Sequence, residues 1–122
     1  MDLRWLAGFF DGEGCVILAS SNGGRLYYPR LTLAQKDRSI LQAVQSKFGG
    51  HLHTRGCPPC SLLTWHGPSA LALAEKLVRV CLCKRAQLVT LLESAKVSAH
   101  WREQFYRILC AQKREIISQE VA

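Results

Sequence analysis

One eleven-residue segment limits the folds open to this chain more than any other: Trp5-Leu6-Ala7-Gly8-Phe9-Phe10-Asp11-Gly12-Glu13-Gly14-Cys15. Leu3, Leu6, Ala7 and Phe10 recur at helical spacing, so residues 3–12 read as a short helix. Gly8 sits near its centre, where glycine costs roughly 1 kcal/mol against alanine. Close approach of a second helix justifies that cost, because two backbones pack tightly where a Cβ is missing. Gly12 and Gly14 end the helix and flank Glu13. An acid at a helix C-terminus opposes the helix dipole and is mildly unfavourable until a cation offsets it. Hard divalent cations take carboxylates, backbone carbonyls and waters as ligands. The segment therefore reads as a packed helix that offers Glu13 to a cation, with a merely solvated helix-end acid as the plainer alternative.

The remaining elements follow from period and turn chemistry. Cys15 to Ser20 is an apolar, partly β-branched run, and Ser21-Asn22-Gly23-Gly24 is a strong turn signal. A second strand runs from Arg25 to about Gln35, where Pro29 predicts an edge or a bend. Asp37 is placed to cap a helix bearing Ile40, Leu41, Val44 and Phe48, closed by Gly49-Gly50. A second hairpin spans His51 to Arg55 and Cys60 to His66. Pro68 then opens a helix with Leu71, Ala74, Leu77 and Val78 on one stripe. Lys84 to Ser94 repeats that pattern, and a last helix from about 98 to 118 aligns Trp101, Phe105, Ile108, Leu109 and Gln112. The order is αββαββα with further helices to the end. It predicts an α+β fold of one domain over residues 1–122, with helices on one face of an antiparallel sheet.

Charge narrows the class of partner. Sixteen Lys and Arg against nine Asp and Glu give a formal charge of +7, scattered along the chain rather than gathered in a tail. Such an excess favours a polyanion, through attraction to phosphates and release of their counterions. No apolar run is long enough to span a membrane, and the first residues lack the pattern of a secretory signal. An intracellular protein with its six cysteines reduced is the expectation. Cys81 and Cys83 are read as small buried hydrophobes of an apolar run.

The motif segment resembles the LAGLIDADG signature, with Leu-Ala-Gly, both acids and the final glycine in register. Gln35-Lys36-Asp37-Arg38-Ser39-Ile40-Leu41 resembles the family's segment after its second strand, and Phe48-Gly49-Gly50 the close of its second helix. Lys84-Arg85-Ala86-Gln87-Leu88 is similar to the basic segment opening a later helix, so the likeness runs over about residues 3–95. The resemblance implies a homing endonuclease: a saddle-shaped sheet, and a homodimer joined through paired motif helices, because one chain holds one motif. It implies a dimer interface at Leu6, Ala7, Gly8, Phe9 and Asp11, with Asp11 mainly structural. It implies Mg²⁺, with Mn²⁺ or Ca²⁺ as substitutes, held by Glu13 and the Gly12 carbonyl. Gln35, Lys84 and Arg38 are the implied helpers in cleaving double-stranded DNA, ordering solvent and stabilising charge. Phage, bacterial or organellar settings are equally compatible.

Strand side chains alternate faces. Leu31, Leu33, Leu52, Leu63 and Trp65 are expected beneath the helices. The opposite set would meet DNA: Ile17, Ala19, Ser21, Tyr28, Arg30, Thr32, His53, Arg55 and Thr64, with Arg25 at a hairpin tip. Cys57-Pro58-Pro59-Cys60 beside His51 and His53 has the residue types of a zinc site. Lacking a second cysteine pair, it reads better as a proline-stiffened hairpin tip, and structural zinc is not expected. Two other functions stay open: a cleavage-deficient relative acting as maturase or regulator, and a small zinc-binding interaction module.

Overall fold

The computed structural model describes residues 1–21, 23–56 and 59–121, the last six of these as backbone only. The Cys57-Pro58 part of the expected hairpin tip, and Asn22 of the first turn, lie outside the described residues. The elements are α1 (Leu3–Glu13), β1 (Gly14–Ser21), β2 (Leu26–Gln35), α2 (Arg38–Phe48), β3 (His51–Arg55), β4 (Cys60–His66), α3 (Gly67–Leu77), α4 (Arg85–Ser94) and α5 (Glu103–Val121). A short 3₁₀ turn, Ala99–Trp101, precedes α5.

The four strands form one antiparallel sheet in the order β1-β2-β4-β3. Alternation sends Val16, Leu18, Leu31, Leu33, Leu63 and Trp65 to one side, where all are buried against the helices. Leu6 and Phe10 of α1, Leu41 and Val44 of α2, and Leu73 and Leu77 of α3 close that core. The indole of Trp65 donates to the Phe48 carbonyl at 3.1 Å, so this large ring is buried without an orphaned N–H. Capping follows the sequence: Asp2 accepts from the Trp5 amide and Asp37 from the Ser39 amide, each at 2.9 Å.

Three expectations need correction. Pro29 does not lie on an edge strand, since β2 is internal. Pairing of β2 with β4 begins only at Arg30–His66, however, so at Pro29 the sheet flanks β2 on one side and the missing N–H is tolerated. The last helix does not start at 98: Arg102 donates to the carbonyls of Tyr27, Ser94 and Val97 and pins a separate turn. Trp101 is therefore 72% exposed and Ile108 47% exposed, leaving Leu109 as the buried anchor of α5. Cys81 is buried as expected, but Cys83 is exposed.

Candidate nuclease site and nucleic-acid interface

Helix α1 has two working sides. Its 6-7-10 stripe enters the chain's own core, with Leu6 at 0%, Ala7 at 2% and Phe10 at 0% exposure. Leu6 and Ala7, two of the expected interface residues, are thus buried within the chain itself. The other stripe is Trp5, Gly8, Phe9 and Gly12. Trp5 is 42% exposed and stacks on Phe9 with ring centroids 5.2 Å apart. A Cβ built on Gly8 would meet nothing within 4 Å, so nothing among the described residues requires glycine there. Gly14 differs: a Cβ there would strike the Phe10 ring at 2.4 Å, so the helix-to-strand handover needs glycine for packing.

The two motif acids have separate surroundings. Asp11 turns back toward the chain, its carboxylate accepting from the amides of Leu82 at 2.8 Å and Lys84 at 3.0 Å. It thereby fixes the loop that enters α4 and holds the Lys84 backbone beside the motif helix. Losing that carboxylate strands two amides, one of them part-buried. Asp11→Ala should lower stability by about 2 kcal/mol, read as a drop in the thermal midpoint of roughly 8 °C. Nearby Cys81 has its thiol pushed up to about 12, first by burial and then by the Asp11 charge, so it is an inert core residue.

Glu13 is the last residue of α1, exposed, and has no hydrogen bond or ion pair among the described residues. The Gly12 carbonyl lies in the last turn, where backbone acceptors lack helical partners. Two hard oxygen donors thus lie together at one helix end. Among the described residues, no group of three or more His, Cys, Asp and Glu converges to hold a metal. Glu13 and Gly12 fit a divalent cation in kind, as part of a ligand set completed from outside the chain.

Gln35 and Arg38 meet in a different row. Gln35 pairs with Ser61, Ser61 with Thr54, and Arg38 donates to the Thr54 hydroxyl at 2.8 Å. This polar row closes the sheet end toward which α1 hands over to β1. By alternation Gln35 follows Leu33 on the helix side, whereas the residues nearest Glu13 on the open side are Cys15, Thr32 and Ala34.

The open face of the sheet carries Cys15, Ile17, Ala19, Tyr28, Arg30, Thr32, His51, His53, Arg55, Leu62, Thr64 and His66. No Asp or Glu occurs in any strand. A hollow of about 310 Å³ at its centre is lined by Ile17, Arg30, Thr32, His53, Arg55, Leu62, Thr64 and His66. Thr64 forms its floor and is only 4% exposed, so little of it is left for direct contact. Among the described residues, Arg30 Nε and His53 Nδ1 are shielded from solvent without a hydrogen-bond partner. The His51 and His53 rings stack with centroids 5.5 Å apart. His66 is held below the usual histidine range, first by desolvation and then by the charges of Arg30, His51 and His53. Ser21 and Arg25 flank the first hairpin turn and are exposed. Sequence reasoning left His51, Leu62 and His66 out of the set expected to meet DNA, although strict alternation contained them. It also missed Trp5 and Gly12 on the free helix stripe, which follow from Gly8 by steps of three and four.

No curated protein matches the chain in sequence. Residues 1–50 match the family model of the LAGLIDADG-like domain. The homing endonuclease I-CvuI, in complex with the I-CreI target in 2 mM Mg with DNA not cleaved, superposes with a TM-score of 0.68 at 29% identity, over 77% of this chain and 65% of that one. The same enzyme with its own target in 2 mM Ca gives a TM-score of 0.67 at 30% identity, with coverage again of 77% and 65%. The archaeal intron-encoded homing endonuclease I-Vdi141I, complexed with DNA, shares the fold at a TM-score of 0.67 and 20% identity, over 77% of this chain and 66% of that one. The chain thus spans 65% of the length of I-CvuI, a little under two thirds. Among the described residues no helix is long and apolar enough to cross a membrane. Its opening fifty residues thus match a LAGLIDADG-like domain, and its sheet and helices are similar to those of the homing endonuclease I-CvuI.

Proposed function

We propose that two copies of this chain pair through the Trp5, Gly8, Phe9 and Gly12 stripe and cut double-stranded DNA at a specific, roughly symmetric site. The observation that carries this reading is the position of Glu13: exposed and, among the described residues, unpartnered, at the helix end that meets a sheet with a basic, acid-free open face. Pairing about a two-fold axis would set twin Glu13 carboxylates side by side, one for each strand of a duplex. A divalent ion bound by Glu13 and the Gly12 carbonyl would polarise the phosphate and activate water. Asp11 keeps Lys84 near that helix end, where its ammonium would offset phosphate charge, and Gln35 and Arg38 close the adjoining sheet end.

The sheet face supplies recognition. Arg30, Arg55, His51, His53 and His66 bring cationic or donor groups, while Ile17, Ala19 and Leu62 offer apolar contact to base edges. The orphaned Arg30 Nε and His53 Nδ1 each carry a desolvation cost of about 1–3 kcal/mol that a base edge or phosphate would offset. Two chains of +7 each should release many counterions. Affinity for the target should fall by about a thousandfold between 50 and 200 mM salt, measured by titrating labelled duplex.

The direct test incubates the protein and Mg²⁺ with a randomised duplex library and sequences the cut ends. One recurrent, roughly symmetric site supports the reading. Selective binding with no cut ends would leave a DNA-binding relative without nuclease activity.

A further inference from the structure

We propose that Lys113, on α5, is a second cationic group of the cleavage site and contacts the scissile phosphate; this rests on the nuclease reading above. The Lys113 Nζ lies 3.6 Å from the Cys15 Sγ, across 98 residues of sequence. Cys15 alternates with the buried Val16 and with Gly14, so its thiol is on the open face of β1, the edge strand. It follows Glu13 by two residues, about 7 Å of extended chain. The ammonium therefore rounds the sheet edge and arrives beside the helix end that offers Glu13.

Its placement is built rather than loose. One residue earlier, Gln112 bonds the Thr90 hydroxyl at 3.0 Å and the Ala86 carbonyl at 3.3 Å, and Leu109 is 2% exposed. These contacts lock this turn of α5 onto α4. Lys113 is half-buried, yet among the described residues the ion pairs are Lys96–Glu93 and Arg107–Glu103, and it belongs to neither. A thiol is a weak acceptor and leaves two of the three ammonium donors unspent. A phosphate oxygen at the Glu13 site is the partner that a half-buried, unpaired lysine there would take.

The test uses the site recovered from the library. Single-turnover cleavage in Mg²⁺, duplex affinity in Ca²⁺ and the thermal midpoint are compared for wild type, Lys113→Ala, Lys113→Arg and Glu13→Gln. Lys113→Ala should slow cleavage about a hundredfold, as loss of one preorganised donor does, with affinity within threefold and an unchanged midpoint. Lys113→Arg should recover most of the rate. A Lys113→Ala rate within threefold of wild type overturns the assignment. So does a rate loss matched by lost affinity, which marks a distant phosphate anchor, or one matched by a lowered midpoint that arginine does not rescue. Wild-type protein that binds and never cuts overturns both this inference and the nuclease reading. Wild-type cleavage abolished by Glu13→Gln but untouched by Lys113→Ala overturns this inference alone.

Discussion

Glu13→Gln should abolish cleavage, lowering the single-turnover rate by about a thousandfold or more, while the duplex is bound as before. The amide keeps the size and reach of the side chain but removes the charge that a hard cation needs. The folded chain should barely notice, since the Glu13 carboxylate makes no hydrogen bond or ion pair among the described residues. Removing an acid from a helix C-terminus is, if anything, mildly stabilising, by about 0.3–1 kcal/mol. An unchanged or slightly raised midpoint together with lost cleavage would assign Glu13 to chemistry. Cleavage that survives the change would remove it from the metal site.

Gly8→Leu should convert a dimer into a folded monomer. Among the described residues a Cβ at this position meets nothing within 4 Å, and leucine is the better helix former by nearly 1 kcal/mol. On a lone chain the substitution should therefore stabilise. Against a partner helix it inserts bulk twice, once per copy, at about 2 kcal/mol each. That is close to a thousandfold weaker association. Sedimentation should show wild type at twice the 13.7 kDa of one chain and the variant at 13.7 kDa, with its circular dichroism unchanged. A wild-type monomer that Gly8→Leu merely stabilises would mean the free stripe of α1 has no second copy to meet.

The parts of the fold that follow from period were legible beforehand. Alternation in 26–35 and 60–66 fixes which side chains share a face, because buried Leu31, Leu33, Leu63 and Trp65 leave Arg30, Thr32, Thr64 and His66 no other side. The two sides of α1 are harder to tell apart, for a related reason. Leu6-Ala7-Gly8 is contiguous in sequence, but a helix turns about 100° per residue, so neighbours in the motif serve opposite partners. Leu6 and Ala7 go to the core, Gly8 to the outside. What local pattern could not disclose is tertiary. The break before α5 depends on Arg102 reaching the Tyr27 carbonyl, and the approach of Lys113 to Cys15 depends on how α5 seats on α4. Gln35 shows a third limit: its register with Ser61 sets it on the helix side of the sheet, which its identity alone does not disclose.

The central claim is one Glu13 for each strand. Wild-type and Glu13→Gln chains carrying different affinity tags are co-expressed, and the mixed dimer is isolated through both. Given a supercoiled plasmid with the target and Mg²⁺, that species should yield nicked circles with one strand cut, where wild type yields linear DNA. Linear product from the mixed dimer at the wild-type rate, or target cleaved by a single chain, would contradict it.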